Sequence, residues 1–411
     1  MSKISDFKVV LLGTDINAYY MSRNFHEAFG IKCHLIGRVA MPFTKLSSIL
    51  TYEIDSQLLV GDRLNRRLKE IARQNEGRKI ILVGTNDDYV QWIIKNADSL
   101  QKDFLFNYSD RKMVESLMDK KKFYTKYSDS DLIKLPRTYF YDVQKNAIDW
   151  SKVEELAFPV IIKPSNTVSW HEHPFSGQAK VYKLYDRSEV KKVIENVADS
   201  GYDSELIIQE FIPGGDDRLF DVVFYCDTSG KPRLMSFAQI GLQERTPTGI
   251  GNATVLVNGF NEFGGTEVIK NNLIKFMRKL NYKGMAEFDL KYDERDQTFK
   301  VLEINPRQAR CSYYLTVCGY NLAKYLADDL LGCGLPEFTF IDQRVALSFV
   351  PNYVIKKYIK NVPLKREIAK LRQQKKLVDP LVYPVDMSLQ RRLWLFIRKF
   401  NYMSKYRKNV F

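Results

Sequence analysis

Residues 285–307, MAEFDLKYDERDQTFKVLEINPR, restrict the possible folds of this chain more than any other stretch. Two arms alternate apolar and polar side chains around the polar turn DERDQ, the pattern of a β-hairpin. If Tyr292 and Thr298 close the turn, counting back along both arms sets Glu287 opposite Glu303. Facing carboxylates at ~4 Å and an effective dielectric of ~20 repel by about 4 kcal/mol, a large share of a domain's stability. A cation must sit between them, or one must hold a proton. Asn305 faces the same side and adds an oxygen. The all-oxygen set Glu287, Glu303 and Asn305 suits magnesium better than zinc, and magnesium held by few carboxylates is usually shared with the phosphates of a nucleotide. A solvated surface hairpin would account for one such Glu. The whole set, followed by Arg307 and Arg310, points to a metal.

The remaining chain supplies context. Its 411 residues exceed one ordinary core and call for two or three lobes. The charge is local: residues 351–411 hold 16 Lys and Arg against 3 acids, whereas the other 350 hold 47 basic and 46 acidic side chains. A near-neutral body with a basic appendage argues against a nucleic-acid groove. The five cysteines include no CxxC pair, so reduced thiols in a cytoplasmic protein are expected. No apolar run is long enough to cross a bilayer, and the N-terminus reads as a first strand rather than a signal peptide.

Strand, turn and helix follow one another in KVVLLGTDINAYYMSRNFHEAF, and again in KIILVGTNDDYVQWIIKNA. This alternation predicts a parallel α/β domain over 1–112. Its turn GTDINAYY is not GxGxxG; Asp15 reads as a helix cap or as a lobe edge that helps hold a small substrate. A central lobe follows over 113–212, including FPVIIKP, a polar loop TVSWHEHPFSGQAK and IIQEFIPGGDD. A second lobe spans 213–335 and a basic extension 336–411. The fold class is thus α/β and α+β. HEH reads as part of a polar loop rather than a zinc site.

Taken in order, these motifs resemble the ATP-grasp superfamily over roughly residues 113–330. MDKKKFY resembles its Asp-Lys entry, with Lys120 as the matching lysine, and FPVIIKP the strand whose lysine, here Lys163, binds ATP phosphates. SWHEHPFSGQAK stands where the superfamily has a mobile phosphate loop, which implies roles for Ser176, Gly177 and Lys180. IIQEFIPGGDD resembles the hinge that holds adenine, implying Glu210, Phe211 and Ile212, with Asp217 or Asp216 on the ribose. Glu287, Glu303 and Asn305 match the metal ligands of the E-x-N-P-R strand.

The resemblance implies ATP and Mg²⁺ as cofactors and a ligase joining a carboxylate to an amine through an acyl phosphate. Arg307 would stabilise the transferring phosphoryl group, and Arg310 would bind a substrate carboxylate. Such chemistry rests on positioning and charge. The layout is most similar to the D-aspartate-adding ligases of peptidoglycan synthesis, in LLGTDINAYYMSRNFHEAFG, KPSN, TPTGIGNAT and the basic C-terminus. That implies D-aspartate as donor and the lysine side chain of a UDP-linked muropeptide as acceptor. Arg245 reads equally as a second substrate cation or as a loop charge. TPTGIGNAT reads as a close backbone approach to a ligand or as a plain turn. Alternatives for the whole chain are a ligase for another amino acid or peptide, and a non-catalytic nucleotide-binding regulator.

In the tail, Leu389, Leu393, Phe396, Ile397, Phe400 and Met403 share helical spacing, with Arg391, Arg392, Arg398 and Lys399 beside or opposite them. The stripe either packs on the body, leaving a solvated basic face, or meets the anionic inner surface of a membrane.

Overall fold

The computed structural model describes residues 6–408 apart from 146, 247 and 248, and leaves out the side chains of 167, 168 and 171. TPTGIGNAT therefore lies partly outside the described residues, and so does the first histidine of HEH.

Four parallel strands in the order Leu50–Ile54, Cys33–Gly37, Phe7–Leu12 and Lys79–Gly84 form the first sheet. The apolar runs of Cys33–Gly37, Phe7–Leu12 and Lys79–Gly84 are largely buried, whereas the edge strand Leu50–Ile54 exposes Tyr52 and Ile54. The two similar turns, at Gly13 and Gly84, lie side by side at the carboxyl edge. Gly13 has φ +123°, and a Cβ there would lie 2.1 Å from Thr85 Oγ1, so only glycine lets the turns meet. Asp15 caps the helix Ile16–Phe29 by accepting from the N–H of Asn17 and Ala18, each at 3.1 Å. Asn86 caps Asp87–Lys95 through the N–H of Tyr89 at 3.2 Å. Both caps sit at the end of a parallel sheet where ligands usually bind.

The second sheet is antiparallel, in the order Thr138–Asp142, Glu205–Glu210, Val160–Pro164 and Tyr182–Leu184. The segment expected as a polar loop after Lys163 instead begins with a short helix, Thr167–Glu172. Trp170 anchors it, buried edge-on against Phe175 and Tyr202 at ring-centre distances of 5.4 and 5.1 Å. One indole outweighs its polar neighbours, because it removes more apolar area from water than they forfeit.

The third sheet has nine strands. Its main path runs Thr298–Asn305, Gly284–Asp293, Leu219–Cys226, Ala238–Gln243, Ala253–Asn258, Val345–Ser348 and Leu377–Val378; Pro232–Ser236 and Thr339–Ile341 pair off it. Residues beyond 336 thus complete this sheet and supply its covering helices.

The terminal helix Leu389–Lys408 does pack on the body, but through Arg391, Leu395, Tyr402 and Tyr406. Most of the apolar stripe read from the sequence, Leu389, Leu393, Phe396, Ile397 and Phe400, faces solvent. A fully buried guanidinium makes this inversion tolerable: Arg391 donates to the carbonyl of Phe43 at 2.9 Å, lies 3.5 Å from Asp386 and covers the Tyr19 ring at 4.1 Å.

Candidate active site

The three sheets meet around an open cleft of about 1330 Å³. Its floor is the hairpin, whose register differs from the sequence expectation. Asp293 and Thr298 close the turn, with Gln297 in a left-handed conformation, and Leu302 forms a bulge. Each adjustment shifts the pairing by one residue. Glu287 therefore faces Asn305, and Glu303 faces Asp289. Two shifts of one leave the side chains on their original face, so Glu287, Asp289, Glu303 and Asn305 all line the cleft. The neighbouring strand adds Asp221, paired with Asp289. Asp221, Asp289 and Glu303 consequently form a row across three strands, at the ~4.8 Å strand spacing, with Glu287 one step along.

Such a row needs cations. Arg307 donates to Glu287 at 3.0 Å through Nη1 and to Asp87, from the first domain, at 2.6 Å through Nε. Lys120 lies 3.1 Å from Glu303 and, as the largest influence, holds that carboxyl far below the usual range. Among the described residues Asp221 and Asp289 form no ion pair, and Asp221 accepts from the Tyr314 hydroxyl at 3.3 Å. Burial, reinforced by the neighbouring acids, raises Asp289 and Asp221 well above the ordinary carboxylate range. Burial also raises Glu287, against the pull of Arg307. Asn305 turns its amide nitrogen to Asp289 at 3.5 Å, which leaves its oxygen for another partner. Three of the four clustered carboxylates are raised, so the row calls for added positive charge, which a divalent hard cation would supply.

Across the cleft stand Lys163 and Lys180. Lys163 is half-buried, its ammonium beside the neutral Oε1 of Gln209 at 3.3 Å; desolvation and the Lys120 ammonium pull it down to about 7. Lys180 donates to the carbonyl of Ile250 at 3.0 Å and so bridges the second and third sheets over the opening. Arg310 also lines the cleft; it lies over the Phe349 ring at 5.7 Å, and among the described residues its buried Nε has no hydrogen-bond partner. Asp15 lies at the same end, within the electrostatic reach of Arg307 and Arg310.

The structure thus brings together Lys120, Lys163, Lys180, Glu287, Glu303, Asn305, Arg307 and Arg310. Other expected residues lie outside the lining of the cleft. Ser176 and Gly177 sit on an exposed turn, whose Gly177 carbonyl accepts from the Tyr182 hydroxyl at 3.1 Å. The Glu210 N–H is spent on the carbonyl of Arg137, and its carboxylate accepts from the Arg137 N–H at 2.8 Å and from Arg295 at 3.0 Å. Phe211 is covered by Lys183 at 3.9 Å, and Ile212 is buried. Asp217 accepts from Asn361 at 2.9 Å, while Asp216 accepts from the backbone and side chain of Gln243. Arg245 lies 3.8 Å from Asp216 rather than in the cleft. Of its loop, Ile250, Gly251 and Asn252 do line it.

Sequence reasoning missed Asp221, Asp289 and Asp87. Asp289 was legible as the acid two residues beyond Glu287 on the same face of a strand. Asp221 was legible as a lone acid inside the apolar run LFDVVFYC. Asp87 acts across domains, and nothing local marks it.

No family model matches the chain. By sequence it is 29% identical over 414 residues to a D-aspartate ligase of Enterococcus faecium, covering 98% of this chain and 96% of that protein. By structure it resembles an L-amino acid ligase from Bacillus licheniformis, with a TM-score of 0.58 and 14% identity over 81% of this chain and 75% of the other. It also resembles the biotin carboxylase domain of a Hydrogenobacter thermophilus 2-oxoglutarate carboxylase, solved with MgADP, ADP and bicarbonate. That TM-score is 0.57, with 16% identity over 82% of this chain and 72% of that one. The chain thus has the ATP-grasp fold, with an acid row and facing lysines in its cleft, and is similar over nearly its whole length to a D-aspartate ligase.

Proposed function

We propose that this ligase joins the β-carboxylate of D-aspartate to the side-chain amine of lysine in a UDP-linked muropeptide, with ATP as phosphoryl donor. A carboxylate oxygen attacks the γ-phosphorus and ADP leaves. The amine nitrogen then attacks the acyl carbon, and phosphate leaves through a tetrahedral intermediate. Lys120, Lys163 and Lys180 are point charges for the triphosphate. Glu287, Asp289, Glu303 and Asn305 would hold Mg²⁺, which neutralises phosphate charge when bound. Arg307, fixed by Asp87 and Glu287, faces charge that grows on the transferring group, where a preorganised cation is most effective.

Arg310 carries the substrate assignment. Among the described residues its buried Nε lacks a hydrogen-bond partner, in a cleft where Lys120 and Arg307 are already paired with acids. Aspartate has two carboxylates, one to react and one to be held, and an unpaired guanidinium suits the second. Asp15, at the same end, is the acid for the substrate ammonium. The reading makes the protein cytoplasmic. The test is ADP release across L- and D-amino acids, with and without a lysine-containing muropeptide. D-Aspartate with acceptor should give the largest release; no stimulation by D-aspartate would overturn the substrate assignment.

A further inference from the structure

We infer that the outward face of the helix Leu389–Lys408 is an interfacial docking surface, whose apolar side chains enter the headgroup region of an anionic bilayer with the helix lying flat. This surface is separate from the ligase cleft, so either can fail without the other.

The body fixes the orientation of the helix. Arg391 is 0% exposed and held as described above. Toward the other end, Tyr402 donates to Glu244 at 2.9 Å, and the Tyr406 hydroxyl is 2.6 Å from that of Thr254. With the inner face clamped at both ends, the outer face cannot roll inward. Leu389, Leu393, Phe396 and Phe400 follow one another at i, i+4, i+7 and i+11, with Ile397 beside them. They are 84, 59, 59, 52 and 49% exposed respectively. The rings of Phe396 and Phe400 meet at 4.8 Å, so the stripe is continuous. Single exposed apolar residues are ordinary on a protein surface; a continuous row on a rigid helix marks an interaction site.

Charge selects the occupant. The helix carries seven basic residues, Arg391, Arg392, Arg398, Lys399, Lys405, Arg407 and Lys408, and no acid. Lys399 and Lys405 are paired inward with Asp379 and Glu244, both at 3.2 Å. Arg392, Arg407 and Lys408 remain on the exposed side. Tyr358 packs on Tyr406 at 5.2 Å and brings up the exposed Lys356 and Lys357 of the helix Asn352–Tyr358. A second copy laid on this face would set like charges together, whereas anionic headgroups neutralise them. No described helix is long and apolar enough to cross a membrane, so this one lies in the interface. Phe43, which lines the cleft, meets Trp394 edge-on at 5.3 Å, so docking brings one edge of the cleft to the bilayer.

The test is cosedimentation of the full chain with phosphatidylcholine vesicles, with and without phosphatidylglycerol. Wild type should pellet with the anionic vesicles only. Phe396→Ser with Phe400→Ser should weaken binding by roughly tenfold or more, and Arg392→Gln or Arg407→Gln by roughly fivefold each. Amino-acid-dependent ADP release with free substrates should be unchanged in these exposed-residue variants. Failure of wild type to pellet, or equal binding by the double Phe variant, overturns the inference. So does sedimentation equilibrium showing that the same double variant only dissolves an oligomer. Loss of ADP release with vesicle binding intact counts against the proposed reaction instead.

Discussion

If Lys163 holds the phosphates as proposed, nucleotide binding should depend on pH near neutrality. Its ammonium lies beside the amide of Gln209, 5.8 Å from the centre of the Tyr124 ring, and among the described residues it forms no ion pair. Desolvation and Lys120 lower it from an ordinary 10.5 to about 7. A bound polyphosphate supplies the missing negative charge and raises it again. The sign follows from linkage: the pKa is lower in the free protein than in the complex, so binding takes up a proton. Affinity is full well below pH 7, about halved at pH 7, and falls further as pH rises. The charged fraction is one half at pH 7 and about one tenth at pH 8, so the apparent Kd should rise about fivefold over that unit. Near pH 7, about half a proton should be taken up per nucleotide. Calorimetry with MgADP in buffers of different ionisation enthalpy measures both quantities, with saturating magnesium to keep the terminal phosphate ionised. Lys163→Arg, charged throughout, should flatten both profiles. A pH-independent Kd without proton uptake in wild type would show that Lys163 is already charged when free, and the desolvated-cation reasoning would be refuted.

Asp289→Asn removes the central charge of the acid row. It should raise the magnesium concentration needed for half-maximal MgADP binding by roughly tenfold or more, while Tm does not fall, because an isosteric amide relieves crowding among buried acids. Arg310→Lys keeps the charge but loses the fork, and should raise KM for the amino acid by about tenfold with KM for ATP unchanged; equal changes in both would place Arg310 on the nucleotide instead. Trp170→Ala, in the helix after Lys163, should cost about 3–5 kcal/mol by denaturant unfolding; a cost near zero would mean that the indole is not a core residue.

The legible parts of the fold were those fixed by short-range pattern. VVLL, CHLIG (Cys33–Gly37) and KIILVG each announce a buried strand, so three strands of the parallel sheet could be read directly, whereas the exposed edge strand Leu50–Ile54 carries no such apolar run and was missed. The helix Thr167–Glu172 could not: it is too short for a period to emerge, and its reason for forming, the pocket around Trp170, is assembled from Phe175 and Tyr202. The strand Val345–Ser348 was equally hidden, since its partner Ala253–Asn258 lies far back in the sequence. The terminal helix was half legible. Periodicity identified which side chains share a face, but whether that face meets protein or solvent depends on Asp386, Phe43 and Tyr19, which receive Arg391 on the opposite side.

The acid row tolerated an error in register because of parity. The sequence expectation misplaced the turn by one residue and lacked the bulge at Leu302; one such slip alone would have sent every carboxylate of one arm to the opposite face. Together they preserved the face and changed the partners, so that Asp289, not Glu287, meets Glu303. The change matters chemically. A facing Glu pair could share a single cation, whereas Asp221, Asp289 and Glu303 in line, with Glu287 beside them, carry more negative charge than Lys120 and Arg307 supply. The hairpin therefore has a standing requirement for added positive charge, set by backbone register, and the magnesium titration of Asp289→Asn measures it.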